Sequence, residues 1–175
     1  MMPSTEEVQR VRSYLLSQAN KLSVPELVDK VRRDTLPLRE AAAAVPPARF
    51  FERPGPGEWS AAEVLTHVLE MNEYGAQAIE GVLDHGTPPP PTGDEISGEI
   101  HRQLRSAEDF WQTYQSRRER LLARVLRARG NEHLDVTITH RWFGPLNWRE
   151  WLLFMRVHDL DHLRQLQAIA QRFAS

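Results

Sequence analysis

Two histidines four residues apart, His158 and His162, are the side chains whose type and spacing most directly suggest chemistry in this chain. They lie in NWREWLLFMRVHDLDHLRQLQAIAQRF, from Asn147 to Phe173, a stretch with no Pro or Gly. Asn147 stands three residues before Glu150, a helix-start signature. Trp151, Met155, His158, His162, Leu166 and Ile169 recur at spacings of three and four, the stripe a helix turns toward a core. On such a helix both rings point the same way from successive turns, which is how a helix offers two imidazoles to one metal ion. A third histidine, His67, shares the inward stripe of another expected helix with Val64, Val68, Met71 and Ala78. An unpaired polar ring in a core costs about 1–3 kcal/mol, so three together need partners, and one ion would serve all three. The blander alternative is three core histidines, each with an ordinary hydrogen bond, and spacing alone does not decide between them.

The elements that must position these residues follow from capping and periodicity. Ser4 to Glu7 is an S-x-x-E capping box, and Val8, Val11, Leu15 and Leu16 continue a helix to about Leu22. Ser23-Val24-Pro25-Glu26 opens a second helix that Pro37 should kink and Pro46-Pro47 should end. Ser60 to Glu63 starts a third, ending near His85-Gly86, with Gly75 and Gly81 inside it. A fourth is expected from about Glu99 to Arg129, carrying Ile100, Leu104, Phe110, Trp111, Tyr114, Leu121, Val125 and Leu126. Residues 131–146 break the helical period, and Val136 to Thr139 read as briefly extended. The expected fold is all-α: a four-helix bundle in one domain spanning 1–175, with residues 1–22 as an additional N-terminal helix.

Composition narrows the function. Lys and Arg number 22 against 24 Asp and Glu, for a net charge of -2, and no basic face stands out, so no nucleic-acid partner is expected. No apolar run approaches the roughly 20 residues of a membrane span, and the N-terminus lacks the order of a signal peptide, so the expected setting is cytoplasmic and off the membrane. The 175 residues include no cysteine. A metal would therefore be held by His and carboxylate, without thiolate, which suits a catalytic or exchangeable site. The apolar side chains of the fourth helix exceed what one bundle face absorbs, so a homodimer through bundle helices is expected.

The run Trp59-Ser60-Ala61-Ala62-Glu63-Val64-Leu65-Thr66-His67 resembles the entry to the second bundle helix of the DinB/YfiT-like superfamily. Gly144-Pro145-Leu146-Asn147-Trp148, with Trp151 and then His158-Asp159-Leu160-Asp161-His162, is similar to its fourth helix. The resemblance runs from about Pro25 to the C-terminus. It implies a divalent metal at one end of the bundle, held by His67, His158 and His162. It also implies a substrate class, since several relatives are transferases or isomerases that use low-molecular-weight thiols; others have no known activity.

The expected function is thus a divalent-metal-binding protein acting as a low-molecular-weight thiol S-transferase or related enzyme. The alternatives are a metal-dependent hydrolase and a non-catalytic metal- or small-ligand-binding stress protein. Zn and Ni are the favoured ions because imidazole suits both. Glu70, one turn after His67, reads as a fourth ligand, an acceptor for a ligand's hydrogen bond, a general base, or a solvated carboxylate. Asp159 and Asp161 lie about 100° round the helix from the neighbouring histidines, which argues against ligation, and Asp161 is the one expected to orient a neighbour. His140, Arg141 and Trp142 either line the mouth of the site or form a surface loop.

Overall fold

A computed structural model describes residues 2–88, 90 and 103–174. The helices are α1 (Thr5–Lys21), α2 (Val24–Thr35), α3 (Leu38–Ala43), α4 (Ala61–His85), α5 (Ala107–Leu126) and α6 (Trp148–Ala174). A two-stranded antiparallel hairpin, β1 (Ile138–His140) and β2 (Gly144–Leu146), joins α5 to α6. The molecule is a four-helix bundle with an additional N-terminal helix: α2 and α3 form one broken bundle helix, α4, α5 and α6 the other three, and α1 lies along α6.

Every helix but α3 begins where its sequence satisfies the first orphan N–H groups. Ser4, Ser23 and Ser60 form capping boxes with Glu7, Glu26 and Glu63. Asn147 and Glu150 do the same for α6: the Glu150 N–H donates to Asn147 Oδ1 and the Asn147 N–H to Glu150 Oε1, both at 2.9 Å. The break at Leu36-Pro37 follows from proline's missing donor and its clash with the preceding turn. Gly86 closes α4 in the left-handed conformation at φ 64°.

The fourth bundle helix starts later than the sequence suggests. Ser106 caps Asp109, so α5 begins at Ala107, and Leu104 lies ahead of it although it is buried. Glu99 and Ile100, expected in that helix, lie outside the described residues. The expectation of a homodimer also loses its footing here. Phe110, Trp111, Tyr114, Leu121, Leu122 and Val125 are all buried within the chain, and of the large apolar residues of α5 only Leu126 is exposed.

Arg149, buried in the first turn of α6, ties α1 to the bundle. Its guanidinium donates to the carbonyls of Ala19 at 3.0 Å, Gly130 at 3.2 Å and Leu22, two of which belong to the end of α1 and its cap. That pairing satisfies helix-terminal acceptors that would otherwise be buried without donors.

The pairs Asn72–Asp159 and Gly75–Met155 show that α4 and α6 run antiparallel, and they are tightly packed at Gly75. A Cβ on Gly75 would meet Met155 Sδ at 2.6 Å and Trp151 Nε1 at 3.0 Å, whereas one on Gly81 would meet, among the described residues, only the Thr87 carbonyl, at 3.4 Å. Alanine is about 1 kcal/mol better than glycine inside a helix. Overpacking of a core costs about 1–3 kcal/mol. Gly75→Ala is therefore expected to destabilise the protein and Gly81→Ala to stabilise it slightly, as read by chemical denaturation. Equal effects of the two substitutions would contradict this account of the α4–α6 crossing.

Candidate metal centre

His67 sits in the second turn of α4, and His158 and His162 sit midway along α6, on the faces the two helices turn toward each other. Each ring offers a nitrogen, and the three nitrogens all lie within 4.8 Å of one another. His67 Nε2 and His158 Nε2 are 3.0 Å apart. Ring centroids are separated by 5.0 Å (His67–His158), 4.9 Å (His67–His162) and 4.5 Å (His158–His162), with interplanar angles of 55–74°, so the rings converge edge-on rather than stack. Two nitrogens bound at roughly 2.0–2.1 Å to one tetrahedral ion stand about 3.3 Å apart, close to the spacing seen.

The outer nitrogens are engaged in ways that fix the tautomers. His158 Nδ1 faces Asp159 Oδ1 at 3.3 Å, and His162 Nδ1 faces Gln165 Oε1 at 2.8 Å. Since each acceptor requires an N–H at Nδ1, the Nε2 lone pairs are left for the centre of the cluster. Burial pushes His67 down to about 3, and any positive charge on His158 or His162 pushes the same way. His162 is also lowered, by burial first and by His158, against the opposing pull of Gln165, Asp159 and Asp161. Both rings are thus held neutral, the form that ligates metal.

Asp159 is fully buried on α6 and joined to two other helices, α4 and α5. Its carboxylate accepts from Tyr114 Oη at 2.6 Å, from Asn72 Nδ2 at 3.0 Å, and from the guanidinium of Arg118, itself buried. Arg118 also donates to Asn72 Oδ1 and, at 3.3 Å, to Thr35 Oγ1. Burial raises the Asp159 carboxyl, but hydrogen bonding from His158 and the Arg118 charge outweigh it and hold the group below the usual carboxylate range. The residue that orients a histidine is therefore Asp159; Asp161 is exposed. The 100° offset that rules Asp159 out as a ligand is what turns it onto α5 and its arginine.

Glu70 is half-buried on α4 and does not belong to the converging set, whose donors are three imidazoles and no carboxylate. The hairpin is more than a surface loop. His140 Nδ1 accepts from the N–H groups of Trp142 and Phe143 at 3.1 and 3.2 Å, which shapes the turn. Its ring lies 4.7 Å from that of Phe154, which in turn lies 6.0 Å from His158. On the other side, the Trp59 ring is 5.4 Å from His67.

The sequence pattern of the DinB superfamily matches residues 27–166, which include all three histidines. The chain belongs to the DinB superfamily. Among solved structures it is similar to TT2238, described as a four-helix bundle protein, with 22% identity and a TM-score of 0.61 over 83% of this chain and 99% of that one. It is also similar to the colibactin self-resistance protein ClbS in complex with double-stranded DNA, with 13% identity and a TM-score of 0.62 over 85% of this chain and 96% of that one. No curated protein sequence matches.

The ClbS complex corrects one expectation. Nucleic acid was excluded on a net charge of -2, yet a protein of this fold is seen on a DNA duplex. Net charge sums the whole surface, while phosphate contact is decided by a few local side chains, so the sum does not exclude it. For membranes the finding is narrower: no helix among the described residues is long and apolar enough to cross one.

Two measurements test this description. Asp159→Ala leaves the Arg118 charge buried without its partner, and should destabilise the fold by about 3–5 kcal/mol in denaturant titration; a change under about 1 kcal/mol would contradict the buried pair. His67 titrates at 6.5 when unfolded and about 3 when folded, so unfolding takes up a proton in that window. Its contribution to stability is complete above pH 6.5 and is lost as the pH falls toward 3. The thermal midpoint of the ion-free protein should fall less steeply across that range in His67→Gln than in the parent; parallel curves would contradict a buried neutral His67.

Proposed function

We propose that His67, His158 and His162 hold one divalent ion, Zn or Ni, and that the chain uses it to activate a low-molecular-weight thiol for transfer. The observation that carries this reading is the convergence of three imidazole nitrogens within 4.8 Å, two of them oriented from behind. Such an ion, when bound to a donor set of neutral rings, keeps its full charge and open positions, and lowers the pKa of a thiol or water that reaches it.

The chain's own residues have separate tasks. Asp159 and Gln165 keep two Nε2 lone pairs aimed at the centre, and Arg118 neutralises Asp159 so that its charge does not collapse onto the ligands. Trp59 on one side and Phe154 on the other limit water around the histidines. Glu70, one turn from His67 on α4 and outside the donor set, is assigned the acceptance of the substrate's proton rather than ligation. A chain without cysteine has no thiol nucleophile of its own, which fits a reaction whose sulfur arrives with the substrate. Attack by activated water is the nearest enzymatic alternative, and binding without turnover the nearest non-enzymatic one.

The test is elemental analysis of protein purified without a polyhistidine tag, followed by spectroscopy of the cobalt-substituted form. The parent should carry about one equivalent of divalent ion, and His162→Ala should lose most of it while its helical circular dichroism stays intact. Equal ion content in the two would overturn the three-histidine site. Adding a small thiol should produce sulfur-to-cobalt charge-transfer absorption in the parent; an unchanged spectrum with several thiols would leave the site standing and remove the thiol chemistry.

A further inference from the structure

Charges of both signs stand around the three histidines. The donor set contains no carboxylate. The nearest buried one, Asp159, is already paired with Arg118 and hydrogen-bonded by Tyr114 and Asn72. On α6 the exposed Asp161 acts on His162, and on α4 Glu70 lies one turn beyond His67. At the hairpin stands a cation. Arg141 directly follows His140 in the turn between β1 and β2, and its guanidinium carbon lies 4.3 Å over the Trp142 ring. The turn is anchored to the site through the rings of His140, Phe154 and His158, at 4.7 and 6.0 Å between successive centroids. The Trp142 ring under that guanidinium lies 5.6 Å from the His140 ring, so the cation is packed onto the same stack of rings that leads to His158.

We propose that Arg141, held against Trp142 at the tip of the hairpin, recognises a carboxylate on the ligand of the three-histidine site, so that the thiol accepted is one that also carries a carboxylate. The inference rests on the metal-and-thiol reading above and adds its substrate class. Stacking on Trp142 engages the face of the guanidinium, whereas arginine grips a carboxylate through in-plane hydrogen bonds at its edge. Five N–H donors allow contacts elsewhere on the protein and a ligand contact together. On binding, the thiol proton passes to Glu70 and the sulfur meets the histidine cluster while the carboxylate meets Arg141. A neutral thiol of equal size makes the first contact only.

The test uses the cobalt-substituted full chain, its Arg141→Ala variant and its Arg141→Lys variant. The probes are 3-mercaptopropionate and its methyl ester, which share the thiol and differ in the carboxylate, and apparent affinities are read from the sulfur-to-cobalt band at fixed pH. Cobalt content and helical circular dichroism should be the same in all three proteins. The preference for the acid over the ester should fall about tenfold in Arg141→Ala and by a smaller factor in Arg141→Lys, with the ester's own affinity unchanged. An acid-to-ester preference that is identical in the parent and Arg141→Ala overturns the role of Arg141 and leaves the thiol reading intact. If neither probe alters the parent's spectrum, both the thiol reading and this proposal fall. If Arg141→Ala does not retain cobalt, the comparison is made with Arg141→Gln, under the same criteria.

Discussion

One buried layer of polar side chains sets the register of the bundle. Thr35 from α2, Asn72 from α4, Arg118 from α5 and Asp159 from α6 meet in the interior, one from each bundle helix, with Tyr114 closing the fourth side of the carboxylate. Each of the four is buried. The layer divides the apolar interior in two. One cluster, from Leu15 through Val31, Ile79 and Val125 to Met155, lies toward the α1 end. The other, from Leu38 through Leu65 and Phe110 to Ile169, lies toward the histidines. Apolar cores tolerate sliding because hydrophobic contact is non-directional, whereas a buried ion pair is satisfied in one register only. Shifting α6 by a turn against α5 would leave both charges unpaired in a low-dielectric interior.

The candidate centre inherits its geometry from that layer. Asp159 is next in sequence to His158, so the carboxylate that locks α6 to α5 also faces the Nδ1 of the imidazole beside it. Asn72, which locks α4 to the same carboxylate, lies beyond His67 on the same helix. The distance between His67 and the pair on α6 is therefore set from within the core. The opening caps then fix where each helix starts, and Arg149 fixes α1 against them. Stability and site geometry rest on the same few residues, which is why a change at Asp159 is expected to disturb both.

How much of this is legible in the sequence depends on which physical signal each element carries. Capping boxes and the three-and-four spacing of Trp151, Met155, His158 and His162 are local, and they located α1, α2, α4 and α6 and placed two histidines on one face. The start of α5 was missed because apolar residues ahead of Ser106 extend the helical pattern, and Leu104 is buried outside the helix. Pro145 concealed β2, since proline reads as a turn signal, yet here it pairs with Thr139 on a two-stranded ribbon whose outer edge needs no donor. Asp159 was read only by its angle from the histidines; its significance comes from Arg118, 41 positions earlier, and no local pattern carries that. The aromatic wealth of α5 reads in the sequence as surplus apolar surface, because its burial against α2, α3 and α4 depends on packing that no local pattern carries.

Membership of the DinB superfamily and the likeness to TT2238 and ClbS establish the architecture, and the identities of 22% and 13% leave the chemistry to be argued from the side chains. The central claim is that three imidazoles on two antiparallel helices surround one ion. X-ray absorption at the edge of the ion that copurifies with the untagged chain addresses it most directly. The account predicts a first shell containing three imidazole nitrogens at roughly 2.0–2.1 Å, with the outer-ring scattering typical of histidine and any remaining ligand light. A shell of oxygen alone, or a protein that copurifies with no ion and takes up none from a divalent buffer, would contradict it.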